Sequence, residues 1–210
     1  MISNLTPQVH ASHYTRLGYL FPERWASYWH QIDAVRACTP ERILEIGVGN
    51  NMVTYALRMI GLTVDTLDID STLYPTYVGS VICIPVQDEI YDVVLCAEVL
   101  EHLPWDQFSI ALAEIKRVTK KTAIITLPHA GYVFSFLYKI PFVTWRALGF
   151  KIPFFWKTHI FNGQHYWETG KKGYARSRIL RAVKDAGFVV KTQRIFPDDP
   201  AHFCMVCEKI

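Results

Sequence analysis

The order of apolar segments along the chain constrains its fold most strongly. Short runs rich in Ile, Val and Leu alternate with segments that repeat apolar residues at helical spacing. The predicted strands are residues 42–47, 63–70, 81–84, 91–99 and 122–128, and the predicted helices are residues 22–38, 51–61, 105–119 and 177–187. Strands that alternate with helices form a parallel sheet with right-handed crossovers and helices on both faces. The sequence therefore predicts an α/β fold of three layers.

The last two strand-like segments, residues 189–196 and 202–210, have no helix between them. We expect them to form an antiparallel hairpin, because strands joined by a short loop pair in that way. The result is a mostly parallel, seven-stranded sheet. With 210 residues, 50% of them hydrophobic, the chain can bury one good core. We therefore expect one domain, residues 1–210, with an N-terminal helical segment over 1–38.

Charge and cysteine usage narrow the class of protein. The net charge of +3 is too small to favour nucleic acid as a partner. Residues 115–167 nevertheless hold eight Lys or Arg and no Asp or Glu, which predicts one positive face. The five cysteines are scattered, and Cys204 and Cys207 are expected on opposite faces of a strand. The N-terminus lacks signal-peptide features and no long apolar run occurs, so we expect a cytoplasmic protein.

The stretch RILEIGVGNN joins a buried strand to a helix through a carboxylate and two glycines, Glu45, Gly47 and Gly49. In open α/β sheets, ligands bind beyond the carboxyl ends of the strands. Glycine lets the backbone approach a ligand closely. A dinucleotide-binding loop would need a third glycine where Met52 stands, which disfavours an NAD(P) site. The second strand ends in Asp68, whose carboxylate can bind both hydroxyls of a ribose.

Five motifs, in the order EIGVGNN, LDID, YDVVLCAEVLEHLP, IKRV and IITLP, resemble those of the class I S-adenosylmethionine-dependent methyltransferases. The resemblance covers residues 32–210 and is strongest over 42–128. It implies a three-layer Rossmann-like methyltransferase fold, with S-adenosyl-L-methionine as the cofactor. The cofactor-binding residues that it implies are Glu45, Gly47, Gly49, Asp68, Ser80, Cys96 and Glu98.

The resemblance also assigns a role to each part of this site. In the family, the loop with the acid and glycines contacts the methionine portion and the acid after the second strand binds the ribose. Ser80 stands where an Asp that meets the adenine is frequent, and Asn51 stands where a third glycine is frequent. Cys96 and Glu98, at the end of the fourth strand, flank the reactive sulfur.

The segment EVLEHLP supplies the candidate catalytic residues Glu101 and His102. His102 is the best candidate for a general base, because the pKa of imidazole lies near neutral pH; the alternative is that the segment only shapes the loop and caps the next helix. Glu98, Glu101 and His102 also resemble the ExxEH segment of metal-dependent small-RNA 2′-O-methyltransferases and ubiquinone-pathway O-methyltransferases. His165 would then complete a divalent metal site. The sequence leaves this metal open, and no metal ligand is assigned.

Residues 130–168 form an aromatic, basic insert, which we expect to be a lid of short helices over the acceptor site. The alternatives are extra core, a homodimer surface, an apolar acceptor pocket, or peripheral membrane contact through residues 132–157. His165 and Trp167 are the candidate substrate-binding residues.

The leading hypothesis is methyl transfer from S-adenosyl-L-methionine to an oxygen or nitrogen of a small-molecule or lipid-like acceptor. A non-catalytic S-adenosylmethionine-binding or adaptor protein is the first alternative. An NAD(P)-linked oxidoreductase is the second, and both Met52 and the terminal hairpin disfavour it.

Overall fold

A computed structural model describes residues 7–143 and 146–210. The first six residues of the predicted N-terminal segment 1–38, and residues 144–145 of the insert 130–168, lie outside the described residues. The helices are α1 (Pro22–Ala37), α2 (Met52–Met59), α3 (Trp105–Val118) and α4 (Arg176–Asp185), and the strands are β1 (Arg42–Ile46), β2 (Thr63–Asp68), β3 (Tyr77–Val78), β4 (Tyr91–Ala97), β5 (Thr119–Pro128), β6 (Gly131–Tyr138), β7 (Arg146–Pro153), β8 (Phe188–Phe196) and β9 (Asp199–Lys209).

Seven strands form one sheet in the order β3-β2-β1-β4-β5-β9-β8. The contacts among the first five strands are parallel, whereas β9 pairs antiparallel with both β5 and β8. The predicted three-layer α/β fold with a closing antiparallel hairpin is confirmed. The carboxyl ends of β1, β2 and β4 meet at one edge of this sheet, which is where ligands bind in open α/β folds.

Side chains on the two faces of the sheet build two cores. Leu44 belongs to the cluster that contains residues of α3 and α4, whereas its neighbour Ile43 belongs to the cluster with residues of α1 and α2. This division follows from the alternation of side chains along a strand. Cys207 and Cys204 likewise fall into different clusters, as predicted, and both are buried free thiols.

The third strand differs from its prediction. We expected residues 81–84 to be extended, but β3 is the dipeptide Tyr77–Val78. Val81 and Ile84 are buried in the core within a turn, where the backbone N–H of Ile84 donates to the Glu114 carboxylate. The apolar pattern of this segment reflects burial against α3, not a place in the sheet.

The insert also differs from its prediction. In place of short helices, β6 and β7 form a separate two-stranded antiparallel sheet, with Phe134 opposite Phe150 and their rings stacked at 4.7 Å. Aromatic and β-branched residues favour strands, and pairs across two strands stabilise them. Many apolar side chains of this hairpin are exposed, including Phe136 at 73% and Leu148 at 63%. Among the described residues, no helix is long and apolar enough to span a bilayer.

Candidate cofactor-binding and catalytic cleft

A cavity of about 230 Å³ opens at the carboxyl ends of β1, β2 and β4. Seven residues predicted from the sequence line it, namely Glu45, Gly47, Gly49, Asp68, Ser80, Glu98 and His102. Residues that line it without having been predicted include Tyr14, Tyr19, Arg24, Tyr28, Asn50 and Asp70. The strand-end carboxylates and the glycine loop therefore share one cavity, as the sequence predicted.

The loop between β1 and α2 depends on its glycines. Gly47 and Gly49 have φ angles of 81° and 50°, in the region that glycine adopts without steric cost. A Cβ atom on Gly47 would also overlap the Cγ2 atom of Val99. Asn51 adopts a φ of 62°, which agrees with the tolerance of Asn for left-handed backbone.

Glu45 lies at the inner end of the loop and is only 4% exposed. The hydroxyl of Thr54, on α2, donates a hydrogen bond to its Oε2 atom. Burial raises the pKa of Glu45 to about 7, and the hydrogen bond from Thr54 opposes this rise. A cationic ligand in the cavity would favour the ionised form of this carboxyl group.

Asp68 is held from two sides at the end of β2. The backbone N–H groups of Val48 and Asp70 donate to its Oδ2 and Oδ1 atoms, each at 2.9 Å. Burial raises the pKa of Asp68, and the backbone donors oppose this rise. Asp70 caps the next 3₁₀ turn by accepting from the N–H of Thr72 at 2.9 Å, the cap or turn role expected for it.

One cofactor residue predicted by resemblance does not reach the cavity. Cys96 is fully buried in the core, outside the residues that line the cleft, whereas Ala97 lines it. Alternation along β4 explains the difference, since neighbouring side chains point to opposite faces.

The N-terminal segment contributes an aromatic wall that the sequence did not reveal. The rings of Tyr14 and Tyr19 meet edge to face with their centroids 5.5 Å apart, and the Arg24 guanidinium lies 4.6 Å from the centroid of the Tyr19 ring. Burial raises the pKa of Tyr14, which keeps the phenol neutral. These residues carry no local sequence signal, because only the tertiary fold brings them to the cleft.

Glu98 is engaged by two residues from the neighbouring strands. The Thr126 hydroxyl donates to its Oε1 atom at 2.9 Å, and Nε2 of His202 lies 3.5 Å from Oε2. The other ring nitrogen of His202 lies 2.5 Å from Oδ1 of Asp199. Burial raises the pKa of Glu98, and the nearby His202 opposes that rise.

Beside the cavity, Glu101, His102 and His165 form a cluster whose ligand atoms all lie within 4.8 Å of one another. The Nε2 atoms of both histidines are 3.9 Å from Oε1 of Glu101. Glu101 is fully buried, and neither of its oxygens has a hydrogen-bond partner among the described residues. Burial, followed by the charge of Glu98, raises its pKa well above the ordinary value. Burying a carboxyl group without hydrogen-bond partners costs free energy, so this cluster is a candidate ligand-binding site.

The two histidines are oriented by contacts outside the cluster. Nδ1 of His102 lies 3.0 Å from the carbonyl oxygen of Gln164, and Nδ1 of His165 lies 3.3 Å from Oε1 of Glu168. Burial lowers the pKa of His102 to about 4, which leaves its ring neutral at pH 7. One carboxylate and two imidazoles suit a first-row divalent cation. Glu98, expected as a fourth ligand by resemblance, lies outside this group.

Trp167, the second residue predicted to bind substrate, lies in the core instead. Its side chain is fully buried in the core beside Phe108, and its Nε1–H donates to the carbonyl oxygen of Leu103 at 3.0 Å. The backbone N–H of Tyr166 donates to the carbonyl oxygen of Glu101 at 2.9 Å. Trp167 thus anchors the segment that brings His165 to the cluster and does not contact the cleft.

Residues 44–127 match the sequence model of a family described as a methyltransferase domain. No curated protein matches the chain. Solved structures with a similar fold are numerous. One is a 1,6-didemethyltoxoflavin-N1-methyltransferase from Burkholderia thailandensis with bound 1,6-didemethyltoxoflavin and S-adenosylhomocysteine, which is 13% identical with a TM-score of 0.56 over 90% of this chain and 91% of that one.

Two further structures are similar over most of their length. The glycopeptide N-methyltransferase MtfA with bound S-adenosyl-L-homocysteine is 11% identical with a TM-score of 0.57, over 86% of this chain and 90% of that one. The protein PH0226 from Pyrococcus horikoshii OT3 is 11% identical with a TM-score of 0.61, over 96% of this chain and 100% of that one. At these identities the structures establish a shared fold.

Proposed function

We propose that this class I S-adenosylmethionine-dependent methyltransferase transfers a methyl group to an oxygen or nitrogen of a small-molecule acceptor with an apolar, lipid-like body. One observation supports this proposal best. The glycine loop, Asp68 and Glu98 line the same cavity at the carboxyl ends of the strands, and His102 lines it too. The candidate cofactor-binding residues and the candidate base thus line the same cavity.

In this proposal, the cofactor lies along the edge of the sheet. Asp68 accepts hydrogen bonds from the ribose hydroxyls, and the open backbone at Gly47 and Gly49 admits the methionine portion. Ser80 lines the part of the cavity where the adenine would lie. Glu45 and Glu98 place carboxyl groups near the cationic end of the cofactor, where positive charge offsets the cost of burying them.

The chemistry asks little of the protein beyond position. Methyl transfer is an in-line displacement with a good leaving group, so the main tasks are to align the two reactants and to exclude water. An oxygen or nitrogen acceptor must also lose a proton. Nδ1 of His102 faces a carbonyl oxygen, which only accepts, so Nδ1 carries the proton and Nε2 is free to act as the base.

The hairpin formed by β6 and β7 supports an apolar acceptor. It begins just after the carboxyl end of β5, at the same edge of the sheet as the cleft. Its strands expose Phe134, Phe136 and Leu148, among other apolar side chains. An exposed apolar surface of this kind is typical of a binding region. The toxoflavin-precursor methyltransferase has a small molecule bound, which is consistent with a small acceptor here.

A metal-assisted form of the same reaction is the second candidate. The buried Glu101 carboxyl group favours it, because this group lies between two histidines and has no hydrogen-bond partner within the described parts of the chain. A divalent cation held by Glu101, His102 and His165 would polarise the acceptor hydroxyl and lower its pKa. His102 would then serve as a ligand, and the proton would leave to another base.

Transfer of a labelled methyl group tests the proposal. The full chain is incubated with S-adenosyl-L-methionine carrying a tritiated methyl group and with separate pools of lipids, quinones, sugars, proteins and RNA. We expect label in a small-molecule or lipid pool only, and loss of that label in the His102→Ala variant. Cofactor binding without label in any pool would instead identify a non-catalytic binding protein.

A further inference from the structure

A second cavity of about 230 Å³ lies beside the β6–β7 hairpin. Its walls come from the β6–β7 hairpin, the start of α4 and the turn between β8 and β9. The polar side chains that line it are those of His129, Ser135, Lys151 and Arg176. It shares no lining residue with the cofactor cleft.

The lining of this second cavity is positive. It contains the cations Lys151 and Arg176 and, among the described residues, no Asp or Glu. Neither cation has a carboxylate partner within 4.0 Å in residues 7–143 and 146–210. Lys151 donates to the backbone carbonyl oxygens of His129 and Pro200, which orients its ammonium group without neutralising it.

Two buried polar side chains in the same cavity lack partners. His129 is 4% exposed, and neither of its ring nitrogens has a hydrogen-bond partner among the residues described. Burial, then the charges of Lys151 and Arg176, lower the pKa of His129 to about 3, so the ring is neutral and still carries one N–H donor. The hydroxyl oxygen of Ser135 is also buried and has no hydrogen-bond partner in residues 7–143 and 146–210. Such groups are rare in proteins unless a ligand or water satisfies them.

The two carboxyl groups that act electrostatically on Lys151 are engaged elsewhere. Burial lowers the pKa of Lys151 to about 8, and the charges of Asp199 and Glu168 oppose this fall. However, Asp199 lies 2.5 Å from Nδ1 of His202, and Glu168 pairs with Lys171 at 2.8 Å. Neither carboxylate therefore pairs with the cations that line the cavity.

We propose that this second cavity binds an oxyanion of the phosphate class. Lys151 and Arg176 would neutralise its charge, and His129 and Ser135 would donate hydrogen bonds to its oxygens. Every polar side chain in the lining can act as a donor, which suits a tetrahedral anion with several acceptor oxygens. A metal ion is disfavoured by the two cations and the absence of a carboxylate. The proposal is independent of the acceptor of methyl transfer.

Calorimetry with inorganic phosphate tests the proposal on the full chain. S-adenosyl-L-homocysteine is kept saturating so that the first cavity is filled, and the ionic strength is held constant. Arg176 is exposed, and its side chain makes no hydrogen bond or ion pair in the described parts of the chain and lies only 5.9 Å from the centroid of the Phe203 ring, so Arg176→Gln should preserve the fold. Arg181→Gln, on the exposed side of the same helix and outside the cavity, is the matched control.

We expect saturable phosphate binding that weakens at least about tenfold in Arg176→Gln and is unchanged in Arg181→Gln, since one charge-assisted contact is lost. Lys151→Gln should weaken phosphate binding as well. Circular dichroism and binding of S-adenosyl-L-homocysteine check that this variant is folded. The proposal would be overturned if the chain bound neither phosphate nor vesicles with phosphatidic acid in a saturable way. It would also be overturned if both arginine variants weakened binding equally.

Vesicle sedimentation distinguishes the two sources of phosphate. Vesicles of phosphatidylcholine are compared with vesicles that also contain phosphatidic acid. Sedimentation that requires phosphatidic acid and Arg176 would assign the site to a lipid headgroup. Binding of inorganic phosphate without such sedimentation would assign it to a soluble phosphate compound.

Discussion

The Oδ2 atom of Asp68 accepts a hydrogen bond of 2.9 Å from the backbone N–H of Val48. This bond ties the end of the second strand to the loop after the first strand, so the carboxylate is fixed at the rim of the cavity before any ligand binds. A group that is already oriented loses little conformational freedom on binding.

The first prediction concerns Asp68. Replacing it with Ala should weaken binding of S-adenosyl-L-homocysteine at least about tenfold, because charge-assisted hydrogen bonds contribute about 1.5–3 kcal/mol each. Calorimetric titration measures the change. Asp33→Ala, an exposed acid on α1, is the control and should bind as the parent does. Equal affinity of Asp68→Ala and the parent chain would exclude the ribose-binding role.

The second prediction concerns the contact between Gly47 and Val99. Gly47→Ala places a Cβ atom against Val99 and requires an L-residue at a φ of 81°, so we expect loss of measurable cofactor binding. Val99→Ala in the same chain removes the overlap but not the backbone strain, and should restore binding in part. Gly18→Ala is the control, since nothing lies within 4 Å of its Cβ position. Unimpaired binding by Gly47→Ala would show that the loop does not approach the ligand.

The third prediction is a pH dependence set by Glu45, whose pKa burial raises to about 7. A cationic cofactor favours the ionised carboxylate, so binding below pH 7 should release a proton, and affinity should rise with pH until it levels off above pH 7. Calorimetry at pH 6 in buffers of different ionisation enthalpy counts that proton. Glu45→Gln should abolish the release.

The same shift fixes a sign for stability. Because the folded pKa of Glu45 lies above its ordinary value, the folded state holds this proton more tightly than the unfolded state does. Its contribution to the free energy of unfolding should therefore fall as the pH rises from about 4.5 to 7.

Proton release on binding that persists in Glu45→Gln would point to another carboxyl group, such as Glu98.

The parts of the site that were predictable are those fixed by local pattern and sheet topology. Glu45, Gly47, Gly49 and Asp68 each follow a strand, and parallel strands bring their carboxyl ends to one edge. Ser80, which the resemblance implied, also lines the cavity and follows β3, although the third strand was predicted at residues 81–84. The direction of Cys96 was the exception, since a shift of one residue along a strand reverses the face.

The rest depends on tertiary contacts that no single segment encodes. Tyr14 and Tyr19 reach the cleft because α1 packs against the sheet, and His202 reaches Glu98 because β9 inserts beside β5. Trp167 was predicted to contact substrate, but its side chain is buried in the core, where it packs instead. The apolar insert was ambiguous because short apolar runs fit both helices and strands.

The fourth prediction concerns the exposed face of the hairpin. Phe136 and Leu148 lie opposite each other on β6 and β7 and are mostly exposed, so replacing both with Ser should leave the fold intact. If this face holds an apolar acceptor, methyl transfer should fall at least about tenfold, since each buried side chain contributes roughly 1.5–3 kcal/mol. Binding of S-adenosyl-L-homocysteine to the double variant should not change.

The control for this pair is Met59→Ser, an apolar residue of α2 that is 87% exposed and lies away from the hairpin. It should leave both transfer and cofactor binding unchanged. A double variant that transfers methyl groups at the parental rate would remove the hairpin from the acceptor site.

The fifth prediction concerns a metal ion at Glu101, His102 and His165. One divalent cation would satisfy both imidazoles and the buried carboxyl group, which has no hydrogen-bond partner among the residues described, whereas a proton satisfies only one carboxyl oxygen. If the metal-assisted form of the reaction operates, chelation with EDTA should abolish methyl transfer, and Mg²⁺, Mn²⁺ or Zn²⁺ should restore it. Metal analysis should find about one ion per chain, lost in Glu101→Gln.

Glu41→Gln, which changes an exposed acid, is the control and should retain the metal. Cofactor binding should survive EDTA under both candidate mechanisms, because Asp68 and the glycine loop do not depend on the cluster, so it shows that the fold is intact. A chain that binds S-adenosyl-L-homocysteine and transfers methyl groups equally well after EDTA would exclude the metal. His102 would then act alone as the base, and the rate should fall as the pH drops toward its lowered pKa of about 4, since only the neutral ring accepts a proton.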